Sequence, residues 1–240
     1  MTEKIERINR TIREMCTELQ RHVSAANDWT LLSEEELLRE MTVCLFSSQM
    51  IFEVAVATAD RLGDVCLLSP VEFLGTQESA YEEKLRLALS KPLSVTMGGC
   101  ERQVLPRFRN RNVSLLTSTI AMLYGGGRPL KKLLHSSKSA REARASLVAS
   151  IKGFGPKQAS LFLRRVSFSS DLAVIDRHVL SYLSLCKGIR PSAAMLSRLA
   201  SYECIETVFS DVAAEFGQTV GCFDLAVWIT MRVAKREGVI

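Results

Sequence analysis

LVASIKGFGPKQASLFLRRVSFSSDLAVIDRHVLSYL, residues 147–183, holds two helical segments that meet at Gly153-Phe154-Gly155-Pro156. Gly153 and Gly155 can take positive φ and let another backbone come close, and Pro156 suits the first turn of a helix, where a missing N–H costs nothing. A helix is therefore expected to start at Pro156, with its free N–H groups and positive dipole end facing outward, a ready site for a backbone phosphate. Lys157 lies in that first turn. The dipole opposes its protonation, and partial desolvation would make it an amine nucleophile near neutral pH. Nineteen residues later, Asp176 follows the apolar run Leu172-Ala173-Val174-Ile175 and precedes Arg177-His178-Val179-Leu180. This is the cap position of the next helix, where N–H groups hold the carboxylate ionised.

A Gly-x-Gly-x-Lys hairpin followed by an Asp that opens a helix resembles the helix-hairpin-helix DNA glycosylases. The runs Lys152-Gly153-Phe154-Gly155-Pro156-Lys157-Gln158-Ala159-Ser160, Phe162-Leu163-Arg164 and Ile175-Asp176-Arg177-His178 are most similar to the archaeal-type 8-oxoguanine DNA glycosylase/AP lyases. The lysine and aspartate together are far more specific than either half, because a hairpin lysine alone also fits a DNA-binding hairpin without chemistry.

Composition sets outer bounds. The chain has 240 residues, of which 47% are hydrophobic and 24% charged, enough to bury a core and too apolar for disorder. The charged start Met1-Thr2-Glu3-Lys4 and the lack of a long apolar run predict a cytoplasmic protein, nucleoid-associated in a prokaryote, with no membrane contact. Seven cysteines at wide spacings and three scattered histidines predict reduced core thiols and no metal site. Some glycosylases of the superfamily carry an iron–sulfur cluster on four closely spaced C-terminal cysteines. Cys204 and Cys222 are too far apart for one, so no cluster is expected.

The formal net charge of +5 is unevenly distributed. Residues 101–165 carry 14 Lys/Arg against two Glu, and the rest of the chain carries 17 basic and 24 acidic residues. A one-signed block that ends on a phosphate-binding hairpin favours a polyanion partner over a merely solvated face.

Outward from the hairpin, residues 3–26 place Ile5, Ile8, Ile12, Met15, Leu19 and Val23 at helical steps, and Ser33 to Glu36 form a capping box that opens the next helix. That helix ends in Leu45-Phe46-Ser47-Ser48-Gln49, which resembles a family turn whose Gln fills the gap left by an extruded base. A polar residue between two helices is the other reading of Gln49. Arg102 to Asn112 interleaves arginines with Phe108, as phosphate ligands or as a surface loop. Asp224-Leu225-Ala226-Val227-Trp228 resembles a family element in which the Trp lines the base pocket, though a core Trp reads equally well. The chain departs from the family by running further past this Trp and not ending in lysine, which leaves the identity of the base open. No strand-like alternation stands out.

The fold expected is all-α and two-lobed. Residues 33–168 would form the lobe with the helix-hairpin-helix, and residues 1–32 with 169–240 the second, with the catalytic cleft between them. By resemblance, Lys157 and Asp176 are the catalytic residues, and Gly153, Phe154, Gly155, Gln49, Arg164 and Arg165 bind DNA. Trp228 and Asp224 would line the base pocket. The implied partner is double-stranded DNA with a damaged or modified base, bound by a monomer. No cofactor is required, and hairpin carbonyls near Ile151 and Phe154 can hold a monovalent cation. The function implied is bifunctional: excision of an oxidised purine, above all 8-oxoguanine, through a lysine Schiff base, then strand cleavage. Another modified base, or a DNA-binding module without chemistry, are the alternatives.

Overall fold

A computed structural model describes residues 3–21 and 28–238. Their helices are α1 (Glu3–Arg21), α2 (Glu34–Phe46), α3 (Phe52–Asp64), α4 (Pro70–Leu74), α5 (Glu78–Leu89), α6 (Arg109–Ile120), α7 (Leu130–Ser136), α8 (Ala140–Ser150), α9 (Pro156–Arg165), α10 (Arg177–Lys187), α11 (Ala193–Ser197), α12 (Leu199–Glu215) and α13 (Val220–Arg236). The part of the first expected helix beyond residue 21, with Val23, lies outside the described residues. Among the described residues, no helix is long and apolar enough to cross a membrane.

The all-α expectation holds, with one departure. Strands β1 (Leu93–Met97) and β2 (Cys100–Val104) form an antiparallel hairpin around Gly98 and Gly99, both at positive φ. Two positive-φ glycines are what a tight hairpin turn requires. Alternation exists in β1, where Leu93 and Val95 are buried and pack with Val54 of α3, but five residues were too few to read as a strand.

Contacts divide the chain into two compact units, residues 28–154 and residues 1–27 with 155–240. The boundary expected at 168/169 thus falls at 154/155, inside the hairpin. Helix α9 groups with the terminal helices, and its Arg164 is bonded to Asp224 of α13. Lys157 and Asp176, expected on different lobes, therefore belong to one unit.

In the unit 28–154, Ser33 caps α2 through the expected box with Glu36, and Glu34 accepts the Tyr124 hydroxyl (2.8 Å) and the Lys131 N–H (3.1 Å). In the other unit, α1, α10, α12 and α13 enclose an apolar core that includes Ile8, Ile12, Tyr182, Phe209 and Met231. Phe223 stands at its centre, 5.2 Å from Phe209 and 4.8 Å from Phe216 between ring centroids. The thiols are less uniformly core residues than expected: Cys16 and Cys44 are buried, but Cys66, Cys100 and Cys204 are exposed.

Gly221, buried in the first turn of α13, lets that helix approach the Ser170 carbonyl: a Cβ there would lie 2.8 Å from the Ser170 oxygen. Replacing a helical glycine by alanine ordinarily stabilises by about 1 kcal/mol. Here backbone overlap reverses the sign, and Gly221→Ala should lower stability by roughly 1–3 kcal/mol. A thermal melt showing a higher Tm than wild type would contradict this packing.

Candidate active site

The geometry starts with an extended segment. Leu172 to Ile175 is buried but has no strand beside it, and buried N–H groups must be paired. Side chains do the pairing. Glu206 Oε1 accepts the Ala173 N–H (2.9 Å), Asp224 Oδ2 accepts that of Val174 (2.7 Å), and the Tyr202 hydroxyl accepts that of Ile175 (2.9 Å) while donating to the Ala173 carbonyl (2.8 Å). The segment delivers the chain to Asp176, whose Oδ1 accepts the N–H groups of His178 (2.7 Å) and Val179 (3.0 Å) at the start of α10. The expected cap is present, and Oδ2 lies outside it.

Lys157 occupies the first turn of α9, half-buried. Gly155 precedes it in extended conformation and provides no side-chain cap, leaving the helix start open to an anion. Only one hairpin glycine uses its freedom. Gly153 has φ +79, whereas Gly155 has φ −82, a conformation open to any residue. Phe154 is buried, which makes it a packing residue whose contribution to a ligand would come from its backbone.

Helix α9 is tied to the same brace that holds the 173–175 segment. Ser160, three residues beyond Lys157, hydrogen-bonds the Tyr202 hydroxyl, and Arg164, seven beyond, donates to Asp224 Oδ2 at 2.5 Å. Asp224 is 1% exposed. Its carboxyl is pushed up to about 6, chiefly by burial, against the lowering effect of Arg164 and the Val174 N–H, with Asp176 adding to the rise. Two expectations change here. Asp224 is a buried junction rather than a wall of an open base pocket, and Arg164 is engaged by a carboxylate rather than presented to phosphate. Arg165 is half-buried at the end of α9.

His178 is buried, with Trp228 edge-on at 6.3 Å and its Nε2 accepting from Arg177 Nε at 3.4 Å. Burial holds its pKa below the ordinary value, assisted by Arg177, Lys235 and Arg232 and opposed by Asp176. Trp228 is half-buried, and the Arg232 guanidinium lies 4.9 Å over its ring. That contact occupies one ring face.

In the other unit, Gln49 follows α2 and its side-chain amide lies 2.6 Å from Nη1 and 3.0 Å from Nη2 of Arg111, two donors that call for the amide oxygen on that side. Its amide N–H groups therefore face away from Arg111. Phe108 precedes α6 at φ 53 with 56% of its surface exposed, while the buried Asn112 donates to the Arg107 carbonyl (3.0 Å). Sequence reasoning missed the Gln49–Arg111 pair and the brace of Tyr202 and Glu206. One signal existed for the latter: Glu206 interrupts the apolar stripe Tyr202, Ile205, Phe209, Val212 of α12.

A family model described as 8-oxoguanine DNA glycosylase, of the Ogg helix-hairpin-helix type, matches residues 101–218. The resemblance to the helix-hairpin-helix 8-oxoguanine DNA glycosylases is thus shown. Among the chain's relatives, the 8-oxoguanine DNA glycosylase/AP lyase of Methanocaldococcus jannaschii is 29% identical over 196 residues, 82% of this chain and 80% of that protein. The Saccharolobus solfataricus protein of the same name is 28% identical over 198 residues, 82% and 83% of the two chains. A solved structure of the M. jannaschii glycosylase/lyase with 15mer DNA containing 8-oxoguanine matches with a TM-score of 0.62 and 25% identity, covering 99% of this chain and 92% of that one. The 8-oxoguanine DNA glycosylase of Thermotoga maritima matches with a TM-score of 0.63 and 25% identity over 93% of each chain.

The cap at Asp176 is testable apart from chemistry. Asp176→Ala should cost about 0.5–2 kcal/mol, whereas Asp176→Asn, whose amide oxygen still accepts the two N–H groups, should melt close to wild type. Equal melting of the alanine variant and wild type would show that the cap adds nothing to stability.

Proposed function

We propose that this chain removes 8-oxoguanine from double-stranded DNA and then cleaves the strand, with Lys157 as nucleophile and Asp176 as the stabilising carboxylate. The observation that carries the reading is the common brace: amine and carboxylate each open a helix, and helix α9 and the segment leading into α10 are both bonded to Tyr202 and Asp224. The relatives' names and the DNA-bound neighbour support the substrate.

The chemistry follows from these groups. A glycosidic bond inside the duplex is out of reach, so the nucleotide must be extruded, at a cost of about a few kcal/mol. Contacts at the open start of α9 and to exposed arginines offset that cost. As the bond from C1′ to the base breaks, positive charge grows on the sugar, and the Asp176 carboxylate stabilises it. The unprotonated Nζ of Lys157 bonds to C1′ and the base leaves with its electron pair. Ring opening gives a protonated Schiff base. Loss of a C2′ proton then expels the 3′ phosphate by breaking the C3′–O bond, and water releases the lysine.

Gln49, with an amide that can bond a base, and the exposed Phe108, with a ring that can stack on one, are the candidates in the unit 28–154 for filling the space left by an extruded nucleotide. The hairpin carbonyls at Ile151 and Phe154 are hard oxygen donors suited to a monovalent cation, although that of Ile151 already accepts the Phe154 N–H at 3.1 Å. Such a cation would supply positive charge toward a phosphate.

Borohydride added during turnover of an 8-oxoguanine duplex should trap a covalent adduct at Lys157. Lys157→Gln should abolish it while DNA binding persists, and Asp176→Asn should slow base release by ~10²–10³. Full trapping by Lys157→Gln would leave a DNA-binding module as the better account. Affinity for undamaged duplex should also fall steeply with salt, each phosphate contact adding about 0.9 to the log–log slope. A flat salt dependence would remove the electrostatic argument drawn from residues 101–165.

A further inference from the structure

Asp224 sits where two independent lines of support cross. On one side, its Oδ2 receives Arg164 from α9, two helical turns beyond Lys157. On the other, the same oxygen receives the Val174 N–H, two residues before Asp176. A single buried oxygen thus references the helix of the amine and the segment of the carboxylate. Its surroundings explain why it can do this. Arg164 on α9 and the Val174 N–H favour its charge, burial and the carboxylate of Asp176 ahead of α10 oppose it, and Glu206 and the neutral Tyr202 of α12 belong to the same brace.

A plain structural ion pair predicts a gain in stability from that arrangement, but the balance goes the other way. The folded-state pKa of Asp224 is raised from 3.8 to about 6. A carboxyl with a raised pKa contributes stability that is full below its unfolded value and lost as pH rises through its folded value. At neutral pH, keeping Asp224 ionised therefore costs the fold free energy despite Arg164. A buried charge retained at a cost in stability suggests a role in function.

We propose that Asp224 is a positioning residue for the reaction, holding Lys157 and Asp176 in register through Arg164 and Val174 without touching DNA. This rests on the glycosylase/lyase reading above and adds a residue to it. Asp224→Asn keeps an oxygen for the Val174 N–H but loses the charge that orders Arg164. Misplacement of a reacting group by about 1 Å can cost ~10²-fold.

The test uses the full chain with an 8-oxoguanine duplex under single turnover. Asp224→Asn should slow base release by ~10–10², with duplex affinity changed less than about threefold, the pattern of an interaction needed only at the transition state. At pH 7.5 its Tm should equal or exceed that of wild type, and the gap should narrow as pH falls through about 6. The wild-type rate should also fall on that approach, and this dependence should weaken in the variant, because the other titrating groups are common to both proteins. Arg164→Lys, which keeps the charge, should be faster than Arg164→Met. The double variant Arg164→Met with Asp224→Asn should be about as slow as either single one, because both break one link.

A wild-type rate in Asp224→Asn, or Arg164 and Asp224 effects that multiply, would overturn the proposal. So would a rate loss that parallels a loss of Tm. Borohydride trapping on an abasic-site duplex separates this from the choice of base, since no base need be released. Slower trapping by Asp224→Asn there supports positioning even if 8-oxoguanine is not excised. Equal trapping by both proteins overturns it.

Discussion

Four buried residues with no strand to pair with, Leu172 to Ile175, set the main constraint on this site. An unpaired buried N–H costs roughly 1–3 kcal/mol, so three in succession would be comparable to a large part of a domain's net stability. The chain meets that cost with Glu206, Asp224 and Tyr202, reached from α12 and α13. A strand would also have paired these groups. Side-chain partners differ in that each can make a second bond elsewhere, and Tyr202 and Asp224 use theirs on α9. The solution to a backbone problem thereby becomes the means of relating Lys157 to Asp176.

Burial also divides the polar groups near Asp176 by role. Desolvation, with the cations Arg177, Lys235 and Arg232, pushes His178 toward its neutral form against the pull of Asp176, which disfavours a second positive charge beside the carboxylate. Arg232 lies over Trp228 and extends a cationic face along α13, where the family resemblance implies a base pocket. Cationic stacking on an indole is worth about 0.5–1 kcal/mol at an exposed site, which a flipped base competing for the same face must exceed. Entry of a base on that face therefore requires Arg232 to swing aside, whereas entry against the ring's other face leaves it in place.

What the sequence made legible was local. Gly153, Pro156 and Lys157 lie within five residues, the Ser33–Glu36 box within four, and Asp176 caps N–H groups two and three residues ahead. Such features depend on backbone geometry that a short motif fixes. The brace was not legible, because its partners are 27 to 50 residues apart and nothing in Tyr202 or Asp224 announces which N–H it will meet. The β1–β2 hairpin was not legible for a different reason: β2 is exposed along most of its length and has no apolar alternation to find. The grouping of α9 with the terminal helices was not legible either, because the bond that ties it to α13 joins residues 60 positions apart.

The basic block shows why a charge count needs a structure to become an interaction. Of its cations, Arg144 is fully buried, Arg164 is neutralised by Asp224, and the ammonium groups of Lys131 and Lys132 donate to the carbonyls of Leu32 and Gly127. Those four are drawn into the protein to different degrees. Arg102, Arg107, Arg109, Arg128, Lys138, Arg141 and Lys152 remain exposed, and Arg111 is exposed while holding Gln49. Counterion release depends on cations that reach phosphate, so the exposed subset sets the electrostatic pull on DNA and the net balance of the segment overstates it. Exposed arginines flank Phe108, which ties this pull to the element whose ring is held outward at positive φ. Exposed positive charge and an exposed aromatic ring thus share one short stretch, residues 107–111, the two kinds of group that an electrostatic attraction to DNA and stacking on a base would draw on.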